Sequence, residues 1–233
     1  MRAKLLRPRV LVAAVIVVVA AFAAAYFTLF STGSPSKLTL QTKGSTAAAP
    51  TGDLAGTWTV ADGSVAGYRV REKLAQLPAP SDAVGRTGAI TGQVTIADQG
   101  GSYQAGPADF TVDVSQLKSD QDKRDNRIRS MGLETARYPQ AGFAAAGPIA
   151  IPADAVKGKP VRLQATGDLT VHGVTKRVTI PLDVERDGAQ IKVVGNYQFG
   201  WSDFGMTAPS IQPFVSVTGN PTLEFELHLA RQA

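Results

Sequence analysis

From residue 56 onward the chain alternates apolar and polar side chains with a period of two, the mark of strands half buried on a sheet. In 222–229, TLEFELHL, Leu223, Phe225, Leu227 and Leu229 share one face, and Glu224, Glu226 and His228 the other. In 178–185, Val178, Ile180, Leu182 and Val184 oppose Thr179, Asp183 and Glu185. Leu163, Ala165, Gly167, Leu169 and Val171 alternate with Gln164, Thr166, Asp168 and Thr170. Ile90, Val94 and Ile96 oppose Thr91, Gln93 and Thr95, and Phe110, Val112 and Val114 oppose Asp109, Thr111 and Asp113. Turn residues punctuate the runs at Asp98–Gly101, Gly158–Pro160, His172–Gly173 and Asp187–Gly188. The pattern predicts an all-β domain of about eight antiparallel strands, with one apolar and one wet face. Closing those strands into a barrel removes exposed edges.

Three stretches depart from this period. Ser119 to Leu133, SDQDKRDNRIRSMGL, does not alternate. Ser119 can cap a helix, Asp120 and Asp122 suit its positive end, and Asp125 and Arg129 are spaced as an i,i+4 pair. One short surface helix crossing an opening of the sheet is predicted there. Residues 10–30, VLVAAVIVVVAAFAAAYFTLF, hold no charge. About 20 apolar residues span a bilayer core of ~30 Å, so this run predicts one N-terminal transmembrane helix. Residues 1–9 carry Arg2, Lys4, Arg7 and Arg9 and no acid, which predicts a cytoplasmic N-terminus and an extracytoplasmic domain at the cell membrane. A cleaved signal peptide is the alternative, because Ala23 to Ala25 offer small residues for a cut. Residues 31–55, rich in Ser, Thr, Gly, Pro and Ala, read as a flexible linker, and 56–233 as one domain.

Charge changes the picture of possible partners. The net charge of +5 belongs to the N-terminal part: six of the 24 basic residues and one of the 19 acidic ones precede residue 56. The remaining 18 of each leave the domain neutral, without the basic footprint of a nucleic-acid binder. The absence of cysteine excludes disulfides, thiolate metal sites and a cysteine nucleophile.

An eight-stranded barrel is either filled by its own side chains or holds one small ligand. Gly92, Ala165, Gly167 and Ala144 or Ala146 are small residues on inward positions, which leaves volume in an aliphatic and aromatic lining. Any ligand of such a lining is a lipid tail, held by burial at about 0.8 kcal/mol per CH₂. Glycines at barrel bends around a solid interior are the competing explanation. Phe110, Val112, Ala165, Leu169, Val171, Phe225 and Leu227 point inward by alternation.

Catalytic constellations are scarce. The chain has two histidines, and their separation gives no metal set. His228 alternates outward with Glu224 and Glu226. His172, in a tight turn, either bonds backbone or lines a polar mouth. Gly200-Trp-Ser202-Asp-Phe-Gly205 is one residue too long for G-x-S-x-G, and neither a P-loop nor G-x-G-x-x-G is present. Arg124, Arg127 and Arg129 form a cluster able to clamp a phosphate, or else a solvated helix face. The expectation is a binding protein rather than an enzyme, with no metal and no cofactor.

Several segments together resemble the YceI-like family: S-x-x-x-x-R-D-N-x-I-R (Ser119 to Arg129) with Tyr138-Pro139 and Phe143, GDLTVHGVTKRVTIPLDV (167–184), AVGRTGAITGQVTI (83–96) and SDFGM (202–206). The resemblance implies a lipocalin-like, eight-stranded antiparallel barrel with a helix and a long apolar tunnel for a polyisoprenoid or similar amphiphile. It also implies that Tyr68 and Phe143 join the tunnel lining, with Arg124, Arg127 and His172 near a polar mouth. This chain departs from the family pattern at Glu72, Asn126, Gly132-Leu133 and Trp201, all near that mouth. The function expected is that of an exported, membrane-anchored isoprenoid- or lipid-binding barrel. A filled structural barrel and a lipid-modifying enzyme using His172 are the alternatives.

Overall fold

The computed structural model describes residues 34–40, 48–75, 79–209 and 215–232. Strands run β1 Gly56–Val60, β2 Val65–Leu74, β3 Ser81–Thr87, β4 Ile90–Asp98, β5 Tyr103–Asp113, β6 Gln140–Ala145, β7 Ile149–Ile151, β8 Val161–Val171, β9 Val174–Asp187, β10 Gln190–Gln198 and β11 Val215–Arg231. These eleven segments make eight ribs. β1 and β2 are one rib broken at 61–64, and β3 and β4 are one rib broken at 88–89. β6 and β7 pair with opposite ends of β5 and form a third composite rib. All pairings are antiparallel, and each rib neighbours the next in the chain. The ring closes where β11 pairs with β2 over its first part and with β1 at its end. The expected eight-stranded antiparallel barrel is therefore present.

Two apolar clusters fill the inner face. One gathers Leu54, Trp58, Ile90, Ile96, Ile191 and Leu229 at the end bearing the β9–β10 turn. The other gathers Leu169, Val178, Ile180, Phe199, Phe204 and Met206 near the β8–β9 turn. Phe225 packs against both.

The predicted helix is α1, Asp122–Arg127, which continues into a π-helical turn, Ile128–Gly132. Its anchoring differs from expectation. Asp125 is buried and accepts from both the amide and the hydroxyl of Ser119, at 2.9 and 2.6 Å. It is thus not the partner of Arg129, which instead donates to Leu117 O and Asn126 Oδ1. Ser119 braces the helix through Asp125, and Gln121 stands at the N-cap without a side-chain bond. A second helical turn, α2, covers Ala153–Val156.

Residues Ser36–Ala233 form one compact unit. Within it, residues 48–55 lie as a strap on the β9–β10 turn. The Ala48 amide donates to Asp187 Oδ1 at 2.9 Å, the Gly188 amide to Ala48 O, and the Thr51 amide to Gly188 O. Leu54 is buried, and its carbonyl accepts from Trp58 Nε1 at 2.9 Å. The Ser36 carbonyl accepts from both Arg69 and Arg86 on the outer face of the barrel. The same two guanidiniums grip Glu224, which is only 3 % exposed. The outer face of β11 is therefore dry at Glu224, where alternation alone predicts a wet position.

No described helix is long and apolar enough to cross a membrane. The predicted transmembrane run, 10–30, lies outside the described residues.

Candidate apolar cavity

Period-two alternation puts every second side chain of each rib inside the barrel. There the aromatic residues meet glycines of the neighbouring rib. Tyr68 stands opposite Gly85, Phe110 opposite Gly92 and Phe225 opposite Gly195. Phe143 lies diagonally over Gly167. A Cβ on any of these four glycines would fall within 2.6 Å of the ring above it. The rings thus lie flat on the wall, in the space a side chain would occupy. Gly92 and Gly167, read from sequence as sources of empty volume, are beds for Phe110 and Phe143. The lumen stays open because the rings recline.

What remains is a cavity of about 250 Å³ running inside the barrel. All nine residues expected to line a tunnel are on its wall: Tyr68, Phe110, Val112, Phe143, Ala165, Leu169, Val171, Phe225 and Leu227. Ile128 and Gly132 of the π-helical turn and its C-cap Leu133 join them, where the helical segment crosses one end. Leu54 from the strap and Ala155 from α2 join at the other. Only three lining side chains carry nitrogen or oxygen: Tyr68, Arg186 and Trp201. Trp201 Nε1 donates to Gly219 O at 3.1 Å. The Tyr68 hydroxyl is buried without a hydrogen-bond partner among the described residues. Burial raises its pKa above the ordinary tyrosine range; Arg124 opposes this, and Asp125, Glu72 and Asp120 reinforce it.

Arg124, Arg127 and His172, expected near a polar mouth, have other surroundings than the cavity wall. Arg124 is bound by Glu72 and Asp120. Burial works against its charge, but these two carboxylates outweigh burial and hold its pKa above the ordinary value. Arg127 is half-buried and makes no ion pair among the described residues. His172 Nδ1 lies 3.2 Å from Phe204 O, and its ring packs on Tyr138 with centroids 4.5 Å apart. Its Nε2 is 3.5 Å from Glu134 Oε1, close enough for charge attraction but outside hydrogen-bond geometry. His172 is a turn residue that bonds backbone. His228 is half-buried, with Nε2 3.1 Å from Glu226 Oε1. Among the described residues no cluster of three His, Asp or Glu is placed to hold a metal.

Sequence reasoning missed Arg186, although the signal was available. The inward row Val178, Ile180, Leu182, Val184 reaches Arg186 at its next step.

A closed antiparallel barrel covered at its ends by a helix and a strap defines an all-β barrel protein with an internal apolar cavity. The match is specific at family level: the YceI-like domain covers residues 58–229, and the chain belongs to that family. Protein YceI of Escherichia coli O6:H1 is 36% identical over 77 residues, 33% of this chain and 36% of that protein. A protein of Vibrio parahaemolyticus is 34% identical over 121 residues, 51% of this chain and 58% of its own length. The matches thus span between about a third and three fifths of these relatives. Among solved structures, a polyisoprenoid-binding domain from Saccharophagus degradans implicated in plant cell wall breakdown shares the fold. It has a TM-score of 0.54 and 17% identity, covering 76% of this chain and 99% of that one. A mutant Campylobacter jejuni YceI protein shares it with a TM-score of 0.51 and 17% identity, covering 69% and 91%.

Proposed function

We propose that this protein is an exported, membrane-anchored carrier that holds a polyisoprenoid or similar long-chain amphiphile inside its barrel, for storage or transport. One observation carries the reading: an open lumen whose wall offers almost nothing but carbon. A cavity so lined favours an apolar chain, each buried CH₂ contributing about 0.8 kcal/mol. The likeness to a polyisoprenoid-binding domain supports the same class of ligand. The basic flank and uncharged run of residues 1–30 support the anchor. A binding role without turnover fits the site, since His172 is turned to backbone and no nucleophile–base pair faces the cavity among the described residues.

The test is native mass spectrometry of the full chain purified from its own source, with Ala165→Phe beside it. Ala165 is buried on the cavity wall. A carrier loses its lipid in the variant with little change in melting temperature, because the lumen receives the ring. A filled barrel holds no lipid in either form, and the variant loses about 1–3 kcal/mol through overpacking.

A further inference from the structure

We infer that Arg186 is the head-group site of the cavity and selects an amphiphile ending in an oxyanion, a carboxylate or a phosphate. This inference rests on the lipid-carrier reading and adds the polar end of the ligand to it.

Arg186 continues the inward row of β9 and pairs in register with Ile191 of β10, itself on the cavity wall. The residue is 5 % exposed. A guanidinium keeps its charge at any pH a cell meets. Here it has no carboxylate partner among the described residues. Its nearest acids in sequence are committed elsewhere: Asp187 pairs with Lys192 at 2.6 Å, and Glu185 alternates to the outer face. Nη2 donates to the carbonyls of Thr51 and Gly52 in the strap, each at 2.7 Å. Those bonds fix the plane of the group. They leave Nε buried without an acceptor. A buried cation with neutral partners and an orphan donor is a costly arrangement on its own. An oxyanion in the cavity supplies the missing counter-charge to the guanidinium, whose geometry suits carboxylate and phosphate alike.

The rest of the cavity then receives the tail. The row of Arg186 crosses β11 at Leu229, and the row of Tyr68 crosses it at Leu223. Six residues of strand separate them, roughly 20 Å at about 3.3 Å per residue. A chain held by its head at the strap end would run past Phe225 and Ala165 toward Tyr68.

The experiment uses the full chain in phosphatidylcholine nanodiscs at pH 8, labelled by a diazirine derivative of hexadecanol as a neutral tracer. Unlabelled hexadecanoic acid, hexadecyl phosphate and hexadecanol compete. The anions are expected to compete at least tenfold better than the alcohol. Arg186→Gln removes that preference while hexadecanol still competes, and Arg186→Lys keeps most of it. A phosphate advantage over carboxylate identifies a phospho-lipid head; the reverse identifies a fatty acid. Equal competition by acid and alcohol in the natural protein overturns the head-group assignment and leaves the carrier reading intact. Failure of the tracer to label the barrel wall overturns both. Should Arg186→Gln not fold, by near-ultraviolet circular dichroism, the acid-to-alcohol ratio of the natural protein and of Arg186→Lys decides the matter.

Discussion

Tyr68, Phe110, Phe143 and Phe225 on the cavity wall each have a matched absence of side chain beneath the ring, and this makes small changes at glycine costly. A Cβ at residue 195 would sit 2.4 Å from Phe225 Cζ. Gly195→Ala is therefore expected to lift the ring into the lumen, lose about 1–3 kcal/mol and reduce lipid capacity. Gly147→Ala, where a Cβ meets open space, is the control and should melt with the natural protein. Thermal unfolding of both variants checks the point. Tyr68 makes a second prediction. Its raised pKa means the folded state keeps the neutral phenol while the unfolded state ionises above about pH 10. Stability contributed by the neutral form is then lost as pH rises beyond that value. Tyr68→Phe should flatten this alkaline loss, and the ultraviolet phenolate titration should lose its last-titrating component. At this scale the sequence was readable wherever alternation alone decides orientation. Seven of the nine predicted wall residues were read from it, Tyr68 and Phe143 came from the family resemblance, and Arg186 follows it one step further along β9. Contacts between distant residues were not readable. Arg124 is neutralised by Glu72, 52 positions away, and Glu224 is covered through Arg69 and Arg86 by Ser36. No local period carries such pairings.

Among the elements, the strands were legible in outline and their interruptions were not. The break between β1 and β2 depends on Ser64, whose hydroxyl donates to Ala61 O and accepts from the His228 amide. That pairing needs β11 in place. The helix was legible as a departure from alternation, but its six residues are too few to stand alone. Asp125 is what secures it. Asp125→Ala is expected to cost about 1–3 kcal/mol by orphaning the Ser119 amide, with hydrogen exchange rising first over 119–132. The strap is governed by another carboxylate. Lys192, and then the Ala48 amide, hold the Asp187 pKa below its ordinary value. A depressed folded pKa adds stability at every pH above the unfolded value of about 4, and that stability is lost as pH falls through the folded value. Hydrogen-exchange protection at residues 48–52, relative to the intrinsic rate, should therefore fall below about pH 4 before the barrel opens. Asp187→Asn should show the lower protection already at neutral pH.

For the whole molecule, the proposed anchor gives a direct expectation. Protease added to intact cells or spheroplasts should remove the barrel and leave a small N-terminal stub in the membrane. A soluble mature chain beginning near Tyr26 would show a cleaved signal instead. The barrel itself has a topology with a consequence for its synthesis. Its ring closes between β11 and the β1–β2 rib, the last and the first to be made. No stretch of chain ending before residue 231 contains both full partners of the seam. Until then the nascent sheet has two open edges, each a row of unpaired amides and carbonyls able to recruit a neighbour. The seam also joins residues 141 to 173 positions apart, from Leu74–Val215 to Trp58–Arg231, with the slow folding that such long-range pairing brings. The most aggregation-prone moment of this protein thus falls just before its final strand arrives, and a chaperone that shields strand edges would have most to do then.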